Sequence, residues 1–242
     1  MSEEKKLISI VVPCYNEEAV LMQFYDTCLS ALDELLEGLN YEFIFIDDGS
    51  KDKTLNIMRE LAKLDGNVRY ISFSRNFGKE AGIYAGLSAS KGDFVVLMDA
   101  DLQHPPKYIP RMYEEIKDGK HDSVAMRRIK RSKKGRMRSF FSKTFFKLMS
   151  NLGNTNLPEG ATDYRMMTRQ YADSVLSMSE RNRFTKGIFS WVGYDTLWLP
   201  YQDAERAGGT TKWSFWGLFK YSLEGMVAFS TKPLALASIL GI

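Results

Sequence analysis

Cysteine and proline are scarce in this sequence. Its 242 residues include two cysteines, Cys14 and Cys28, and seven prolines. Two isolated thiols exclude a disulfide scaffold and a multi-cysteine zinc site, and they favour a reducing compartment. With 44% apolar and 26% charged residues, the composition is that of an ordinary globular protein, which excludes a disordered or collagen-like chain. The length fits one large domain.

Long apolar runs are missing as well. Met1–Lys6 is polar and charged, and Leu7–Val12 is short, so we expect no signal peptide. Pro233–Ile242 is apolar and uncharged, but its ten residues are too few to span a bilayer, which takes about 20. Such an ending is typical of the start of a membrane segment. We therefore expect a folded domain over residues 1–213, and over residues 214–242 a juxtamembrane amphipathic helix with the beginning of a membrane anchor.

Acidic residues are absent from one long stretch. Between Ser123 and Pro158 the chain has ten Lys or Arg and no Asp or Glu. Because the whole chain has 33 basic and 30 acidic side chains, the remainder has 23 basic against 30 acidic, a net charge of −7. A basic segment on an acidic body predicts a localised anionic partner, which can be a phosphate group, nucleic acid or a membrane surface.

The first half of the chain alternates short apolar runs with helical patterns. Strands are predicted at Leu7–Pro13, Tyr41–Asp47, Val68–Ser72 and Phe94–Asp99, with a later one at Ser123–Arg127, and helices near Glu18–Leu36, Thr54–Leu64 and Lys79–Ala89. This order predicts an α/β fold with a mainly parallel, Rossmann-like sheet. Ligands of such sheets bind at the carboxyl ends of the strands.

Two carboxylates follow the fourth predicted strand, in Asp99-Ala100-Asp101. Acids at this spacing can hold one hard divalent cation such as Mg²⁺ or Mn²⁺ and leave positions open for phosphate oxygens, and Gln103 can add a neutral oxygen. The alternative is a solvated turn that happens to contain two acids. His104 is expected to be a turn residue and not a ligand.

The loop after the first strand lacks the glycines of a dinucleotide or P-loop site, which argues against those enzyme classes. Pro13, Tyr15 and Glu17 stand there instead. Tyr15 can stack on a base, and Asp48, at the end of the second strand, can accept a hydrogen bond from a ring N–H. For Asp48 the alternative is a plain turn before a helix that Asp52 caps.

Two amphipathic segments lie in the second half, at Met137–Leu152 and Ser214–Phe229. In the first, apolar residues follow helical spacing while Lys and Arg lie off that stripe. We expect both to be helices at a membrane surface, and in Met137–Leu152 the Phe side is inserted and the Lys side lies on anionic headgroups. The alternative is an ordinary helix that faces the core.

The ordered motifs of the chain resemble those of glycosyltransferase family 2. Within it they resemble the polyprenyl-phosphate glycosyltransferases, which include dolichyl-phosphate mannose synthases and bacterial undecaprenyl-phosphate glucosyl- and N-acetylglucosaminyltransferases. The motifs are Val12–Glu18, Ile46–Ser50, Asp99–Pro105, Arg127 and Arg128 with Arg131, Thr162–Arg165, Arg183–Gly187 and Arg206–Trp213. The resemblance runs from about Ile8 to Leu234, and many relatives continue beyond it into membrane helices.

The resemblance implies a nucleotide-sugar-binding domain of the GT-A type over residues 1–213, and it implies roles for individual residues. The residues implied to bind the nucleotide are Pro13, Tyr15, Glu17, Asp48 and Asp99, and those implied to bind the metal, Mg²⁺ or Mn²⁺, are Asp99, Asp101 and Gln103. The residues implied to bind the acceptor phosphate are Arg128, Arg131, Arg206 and Lys212. The implied catalytic residues are Asp101 and Asp163. Asp163 either acts as a base or positions the acceptor, or it is one half of a structural ion pair with Arg165.

The implied reaction is the inverting transfer of a sugar from a nucleotide diphosphate to a polyprenyl phosphate, at the cytoplasmic face of the plasma membrane. UDP-glucose or UDP-N-acetylglucosamine is the expected donor, and GDP-mannose is the alternative. A basic module that binds membranes or nucleic acid without catalysis is the alternative of another class. We expect no nucleic-acid partner, because the phenylalanines of the basic segment follow a helical stripe and do not form a stacking platform on strands. The sequence leaves open whether the chain forms a homo-oligomer.

Overall fold

The computed structural model describes residues 5–33, 35, 38–130, 158, 160–178, 180 and 183–202. Its strands are β1 (Lys6–Cys14), β2 (Leu39–Asp47), β3 (Val68–Ser72), β4 (Phe94–Leu97), β5 (Ser123–Lys130), β6 (Ala161–Thr168) and β7 (Thr196–Gln202). Its helices are α1 (Leu21–Leu32), α2 (Thr54–Leu64), α3 (Lys79–Ala89), α4 (Ile109–Ile116), α5 (Arg169–Ser177) and α6 (Thr185–Trp191), with a short 3-10 helix at Pro106–Tyr108.

The seven strands form one mixed sheet in the order β3-β2-β1-β4-β6-β5-β7. The pairs β1–β2, β1–β4, β2–β3 and β5–β7 are parallel. Strand β6 runs antiparallel to both of its neighbours, β4 and β5. The expected α/β fold with a mainly parallel sheet is therefore confirmed, and the reversed strand is an addition that the sequence patterns did not predict.

Helices cover both faces of the sheet, which explains why the central strands are apolar almost without interruption. Along β1 the side chains alternate between the two faces. Ile10 and Val12 pack in one buried cluster with Phe24 of α1, while Val11 packs in a second cluster with Ile83 of α3. Helices α2 and α4 contribute to the first cluster and helices α5 and α6 to the second. The helices packed on both faces hold the sheet in place, and this fixes the position of the strand ends along its edge.

Helix α1 is shorter than expected, because Glu18 is held outside it. The Glu18 N–H donates to Asp52 Oδ2 at 3.1 Å, and the Lys53 N–H donates to Glu18 Oε2 at 2.8 Å. These two hydrogen bonds connect the loop after β1 to the loop after β2. Asp52 also accepts from the Thr54 N–H at 2.9 Å, although Lys53 is the residue that immediately precedes α2. Asp52, the expected cap, therefore lies one position before the observed cap residue.

Several predictions fall on residues that the structure does not describe. They are the amphipathic segments Met137–Leu152 and Ser214–Phe229 and the division between residues 213 and 214, and they stay predictions. Among the residues described, no helix combines the length and the apolar character needed to cross a membrane.

Candidate functional site

Two acids from distant parts of the chain meet at one edge of the sheet. Strand β4 pairs antiparallel with β6 so that Leu97 lies opposite Arg165. Continuing this register by two residues on each strand brings Asp99 level with Asp163. Because β6 is reversed, its beginning lies beside the carboxyl ends of β1, β2 and β4, the edge at which α/β sheets bind ligands.

A lysine lies between these two acids. The Lys79 ammonium is 2.6 Å from Asp99 Oδ1 and 2.9 Å from Asp163 Oδ2. A second cation, Lys186 at the start of α6, is 3.8 Å from Asp163 Oδ1. The side chains of Asp163 and Asp99 are 13% and 30% exposed, so the cluster is shielded but open to a ligand. We call Lys79, Asp99, Asp163 and Lys186 the charged cluster.

The charged cluster keeps both acids ionised. Burial raises the pKa of Asp163, but the charges of Lys186 and Lys79 outweigh burial and hold that pKa well below its usual range. For Asp99 the Lys79 charge likewise outweighs burial and lowers the pKa. Burial lowers the pKa of Lys79, and the two carboxylates more than reverse this effect. At neutral pH the Asp99 and Asp163 carboxylates and the Lys79 ammonium are therefore all charged.

Asp48 anchors the loop that leads to Lys79. Its carboxylate accepts from the Phe77 N–H at 2.6 Å and from the Gly78 N–H at 2.9 Å. Gly78 has a φ of 96°, a conformation that favours glycine. Burial outweighs these N–H donors and raises the pKa of Asp48. The structure thus gives Asp48 a backbone-anchoring contact that the sequence analysis did not foresee, beside its predicted role toward a base.

The predicted nucleotide-binding residues lie together around Asp48. The Asp48 N–H donates to the Cys14 carbonyl at 2.9 Å, which places the end of β2 beside the loop that carries Tyr15. The Glu17 N–H donates to Thr54 Oγ1 at 2.8 Å, so this loop is held against the start of α2. Pro13, Tyr15 and Glu17 are partly exposed, as a surface that receives a ligand requires.

Asp101 and Gln103 lie in the turn after Asp99. The Gln103 N–H donates to Asp101 Oδ1 at 3.1 Å, and both side chains are partly exposed. In the described part of the chain, no three side chains of His, Cys, Asp or Glu converge as a metal site. Two carboxylates and an amide are nevertheless the hard oxygen ligands that Mg²⁺ uses when substrate phosphates complete its coordination. These residues therefore fit a metal that is shared with a diphosphate.

His104 is a buried part of the site floor. Only 5% of it is exposed, and its ring stacks on Tyr164 at 5.4 Å between centroids. Its Nδ1 lies 4.0 Å from Asp99 Oδ2 and has no hydrogen-bond partner among the residues that the structure describes. Burial lowers the pKa of His104 more than the nearby acids raise it. The expected turn residue is thus a neutral ring packed behind Asp99.

Comparison with known proteins identifies the family of this chain. The family model described as "Glycosyl transferase family 2" matches residues 9–176. The prophage bactoprenol glucosyl transferase homolog of Escherichia coli K12 is 41% identical over 235 residues, which cover 97% of this chain and 76% of that protein. The chain belongs to glycosyl transferase family 2. It is a glycosyltransferase.

Solved structures support the same fold for this glycosyltransferase. Glucosyl-3-phosphoglycerate synthase from Mycobacterium tuberculosis, in complex with Mn²⁺, UDP-glucose and phosphoglyceric acid, superposes with a TM-score of 0.57 at 22% identity, covering 90% of this chain and 76% of that one. A mannosyltransferase from Pyrobaculum calidifontis, in complex with GDP-mannose and Mn²⁺, gives 0.58 at 17% identity and 85% coverage, and this chain spans 58% of its length. Both likenesses establish the GT-A fold.

On the acceptor side, the structure describes one of the four residues that the sequence analysis assigned to phosphate binding. Arg128 lies near the end of β5, which reaches the same edge as the charged cluster because β5 runs antiparallel to β6. Its N–H donates to the Gly160 carbonyl at 3.0 Å, and its charge acts on His104. Arg131, Arg206 and Lys212 lie outside the described residues.

Sequence reasoning missed the role of Lys79 in this glycosyltransferase and predicted only that a helix begins there. A signal was present. A cation at the first residue of a helix opposes the positive end of the helix dipole, so such a lysine needs compensating acids. Lys186 lies in the quoted motif Arg183–Gly187 but was given no function. Its pairing with Asp163 follows from tertiary packing, which no local pattern encodes.

Proposed function

We propose that this glycosyltransferase moves a sugar from a nucleotide diphosphate to a polyprenyl phosphate with inversion at the anomeric carbon. The observation that carries the proposal is the charged cluster, which joins the predicted donor acid Asp99 to the predicted acceptor acid Asp163 through Lys79. The name of the Escherichia coli relative supports the acceptor class, since bactoprenol is a polyprenol. That name also favours glucose as the sugar, so UDP-glucose ranks ahead of UDP-N-acetylglucosamine.

On the donor side, Asp99, Asp101 and Gln103 would hold Mg²⁺ or Mn²⁺ against the diphosphate. A bound divalent cation neutralises the negative charge that grows on the departing nucleotide diphosphate. The exposed face of Tyr15, together with Pro13 and Glu17, receives the nucleoside beside Asp48. These residues place the anomeric carbon of the sugar over the charged cluster.

On the acceptor side, Arg128 presents a guanidinium to the lipid phosphate, with Arg131, Arg206 and Lys212 as its expected partners. A forked guanidinium matches phosphate oxygens better than an ammonium does. A phosphate monoester has a second pKa of about 6 and is largely dianionic at neutral pH. Its oxygen can therefore attack the anomeric carbon without a strong base.

Asp163 then acts as a positioning residue. Its pKa lies well below the usual range because Lys186 and Lys79 stabilise its charge, and a carboxylate held in that way is a poor proton acceptor at neutral pH. Its contribution is to fix the two ammonium groups beside the place where donor and acceptor meet. We therefore infer that Asp163 positions charged groups and does not act as a base.

The acceptor is a lipid, so the proposal includes work at an anionic membrane surface on the cytoplasmic side. Met137–Leu152 and Ser214–Phe229 are the proposed contacts, through their apolar stripes and basic flanks. The homo-oligomer and the membrane anchor near residue 242 stay predictions.

A donor panel tests the proposal. UDP-glucose, UDP-N-acetylglucosamine and GDP-mannose, each radiolabelled in the sugar, are incubated with polyprenyl phosphate and Mg²⁺ or Mn²⁺, and label in the lipid is counted. Lipid-linked label from one UDP-sugar is the expected result, and it should disappear with excess EDTA. Transfer from GDP-mannose alone would replace the donor assignment, whereas no label from any donor would overturn the acceptor class.

A further inference from the structure

Lys79 is held more firmly than a surface lysine. Its ammonium contacts Asp99 on one side and Asp163 on the other, at 2.6 and 2.9 Å. Its backbone follows the Phe77–Gly78 peptide segment, whose two N–H groups donate to the buried Asp48 carboxylate. With both ends of the residue held by these contacts, the ammonium lies in the space beside Asp99.

That position has a consequence for cation binding. Asp99 Oδ1 already accepts the Lys79 ammonium, so a divalent cation on Asp99 would lie within a few ångströms of a like charge. The repulsion of such neighbours is substantial at the edge of a protein. A nucleotide diphosphate brings negative charge to the same place and offsets this repulsion.

We propose that Lys79 is a resident counter-cation that makes divalent-cation binding at Asp99 depend on the nucleotide diphosphate. The inference rests on the proposed function for the identity of the metal site, and it adds an order of events. A cation without nucleotide binds weakly, and cation and nucleotide bind together. The Lys79 ammonium also neutralises the Asp163 carboxylate. The charge on the acceptor side therefore stays balanced while the cation and the nucleotide diphosphate bind on the donor side.

Lys186 offers a matched comparison within the charged cluster. It contacts Asp163 at the longer distance of 3.8 Å and on the other carboxylate oxygen, whereas Lys79 contacts Asp99 directly. Removing either ammonium deletes one positive charge beside Asp163. The direct contact with Asp99 predicts that Lys79 alone strongly controls the affinity for a cation.

The test measures Mn²⁺ binding to the full chain by the electron paramagnetic resonance of free Mn²⁺, with and without UDP. Lys79→Met is expected to bind Mn²⁺ alone at least about tenfold more tightly than the parent. The ratio of the two Kd values, without and with UDP, should shrink by a similar factor. Lys186→Met should change the Kd by less than about threefold, and Lys63→Met, at an exposed position on α2, should match the parent.

Unchanged or weaker Mn²⁺ binding by a folded Lys79→Met variant would overturn the role of Lys79. Lys79→Gln provides the same measurement if the methionine variant does not fold, and a parent that binds Mn²⁺ equally tightly with and without UDP also contradicts the inference. If no protein binds Mn²⁺ under either condition, both the metal site and the role of Lys79 are wrong. If the Kd shifts as expected but no sugar reaches polyprenyl phosphate, only the proposed acceptor fails.

Discussion

Asp101 differs from its neighbour Asp99 in how little of the fold depends on it. Its side chain is partly exposed and accepts the Gln103 N–H, a bond that an amide oxygen can also accept. Asp101→Asn is therefore expected to fold normally and to lose transfer by at least about 100-fold, because losing roughly 2.7 kcal/mol of transition-state stabilisation corresponds to that factor. Turnover at saturating Mn²⁺ and the Tm check the two halves of the prediction. A variant that turns over at half the parental rate would remove Asp101 from the metal site.

Arg128 separates acceptor binding from donor binding. Arg128→Ala should raise the KM for polyprenyl phosphate at least about tenfold, since a charge-assisted contact contributes about 1.5–3 kcal/mol. Arg128→Lys should recover only part of the loss, because an ammonium lacks the planar fork. The Kd for UDP in the presence of Mn²⁺ should stay within about twofold of the parent, since it rests on other residues.

The assay for Arg128 uses a short polyprenyl phosphate that is soluble in detergent, which removes membrane adhesion from the measurement. Near-parental KM values for both variants on that substrate would assign Arg128 to membrane adhesion only. Arg127, exposed and adjacent on β5, provides the matched control as Arg127→Ala.

Single residues show where sequence reasoning succeeds and where it stops. Asp99 and Asp101 could be picked out because an acid pair directly after a buried strand is a local pattern. The pairing of Lys79 with Asp163 could not, because 84 positions separate the two residues and their contact depends on where a reversed strand joins the sheet. The other predicted site residues of the described chain were placed at the correct edge, and their roles stay predictions.

At the scale of elements, α3 lies unusually close to the sheet. A methyl group on Gly86 would come within 2.3 Å of Val11 Cγ1 and 2.6 Å of Ile46 Cδ1. Gly86→Ala is thus expected to destabilise the protein by about 1–3 kcal/mol despite the better helix propensity of alanine, because overpacking moves core side chains. Urea denaturation followed by circular dichroism measures the change.

Gly66→Ala is the control for Gly86, since no atom of the described part of the chain lies within 4 Å of its added methyl group. It should shift the free energy of unfolding by less than about 1 kcal/mol. If the two variants were equally stable, the close approach of α3 to the sheet would be wrong.

The bounds of the elements were predicted best where local and tertiary signals agree. Helices α2 and α3 and strand β3 have the bounds that the pattern predicted. Helix α1 was predicted too long at both ends. Its later start has a tertiary cause, because Glu18 is bound to the loop before α2, a contact across 34 and 35 positions that periodicity does not contain.

At the scale of the whole molecule, Glu42 is a buried acid at the opposite edge of the sheet, and its hydrogen bonds connect four segments of the chain. Glu42 on β2 accepts from Ser9 Oγ of β1 at 2.5 Å, from an Arg69 guanidinium N–H of β3 at 2.5 Å, and from the Lys91 N–H at 2.7 Å. Burial raises the pKa of Glu42, but these donors and the Arg69 charge together lower it below its usual value.

Stability should therefore depend on pH through Glu42. A carboxyl whose pKa is lower in the folded state stabilises the protein above its unfolded pKa of about 4.3, and this stabilisation is lost as the pH falls through the folded pKa. Glu42→Gln is expected to be less stable than the parent by about 1–3 kcal/mol at pH 7. The difference should shrink as the pH falls below about 4. Thermal melts of both proteins from pH 3 to 7 measure it, with the exposed Glu60→Gln as control; a gap that is constant with pH would contradict the assignment.

The parallel half of the architecture could be predicted from the sequence. Strands β1 to β4 alternate with helices, and the right-handed crossover rule leaves few arrangements for such a chain. The reversed β6 was not predictable, because an antiparallel strand inside a large sheet has no signature in a run such as Ala161–Thr168. The edge that holds the candidate site depends on both halves, so the residues proposed for the donor were easier to bring together from the sequence than those proposed for the acceptor.

The pairing of β4 with β6 also limits how this enzyme can vary. Successive side chains of a strand point to opposite faces, so sliding β6 by one residue would turn Asp163 away from Asp99. The next register that restores the face is two residues away, a step of about 6.8 Å along the strand, far longer than an ion pair. The separation of the two acids therefore cannot drift gradually through evolution. Relatives that use a different donor or acceptor are therefore expected to differ in the side chains and loops around the β4–β6 pair, while the register of that pair stays the same.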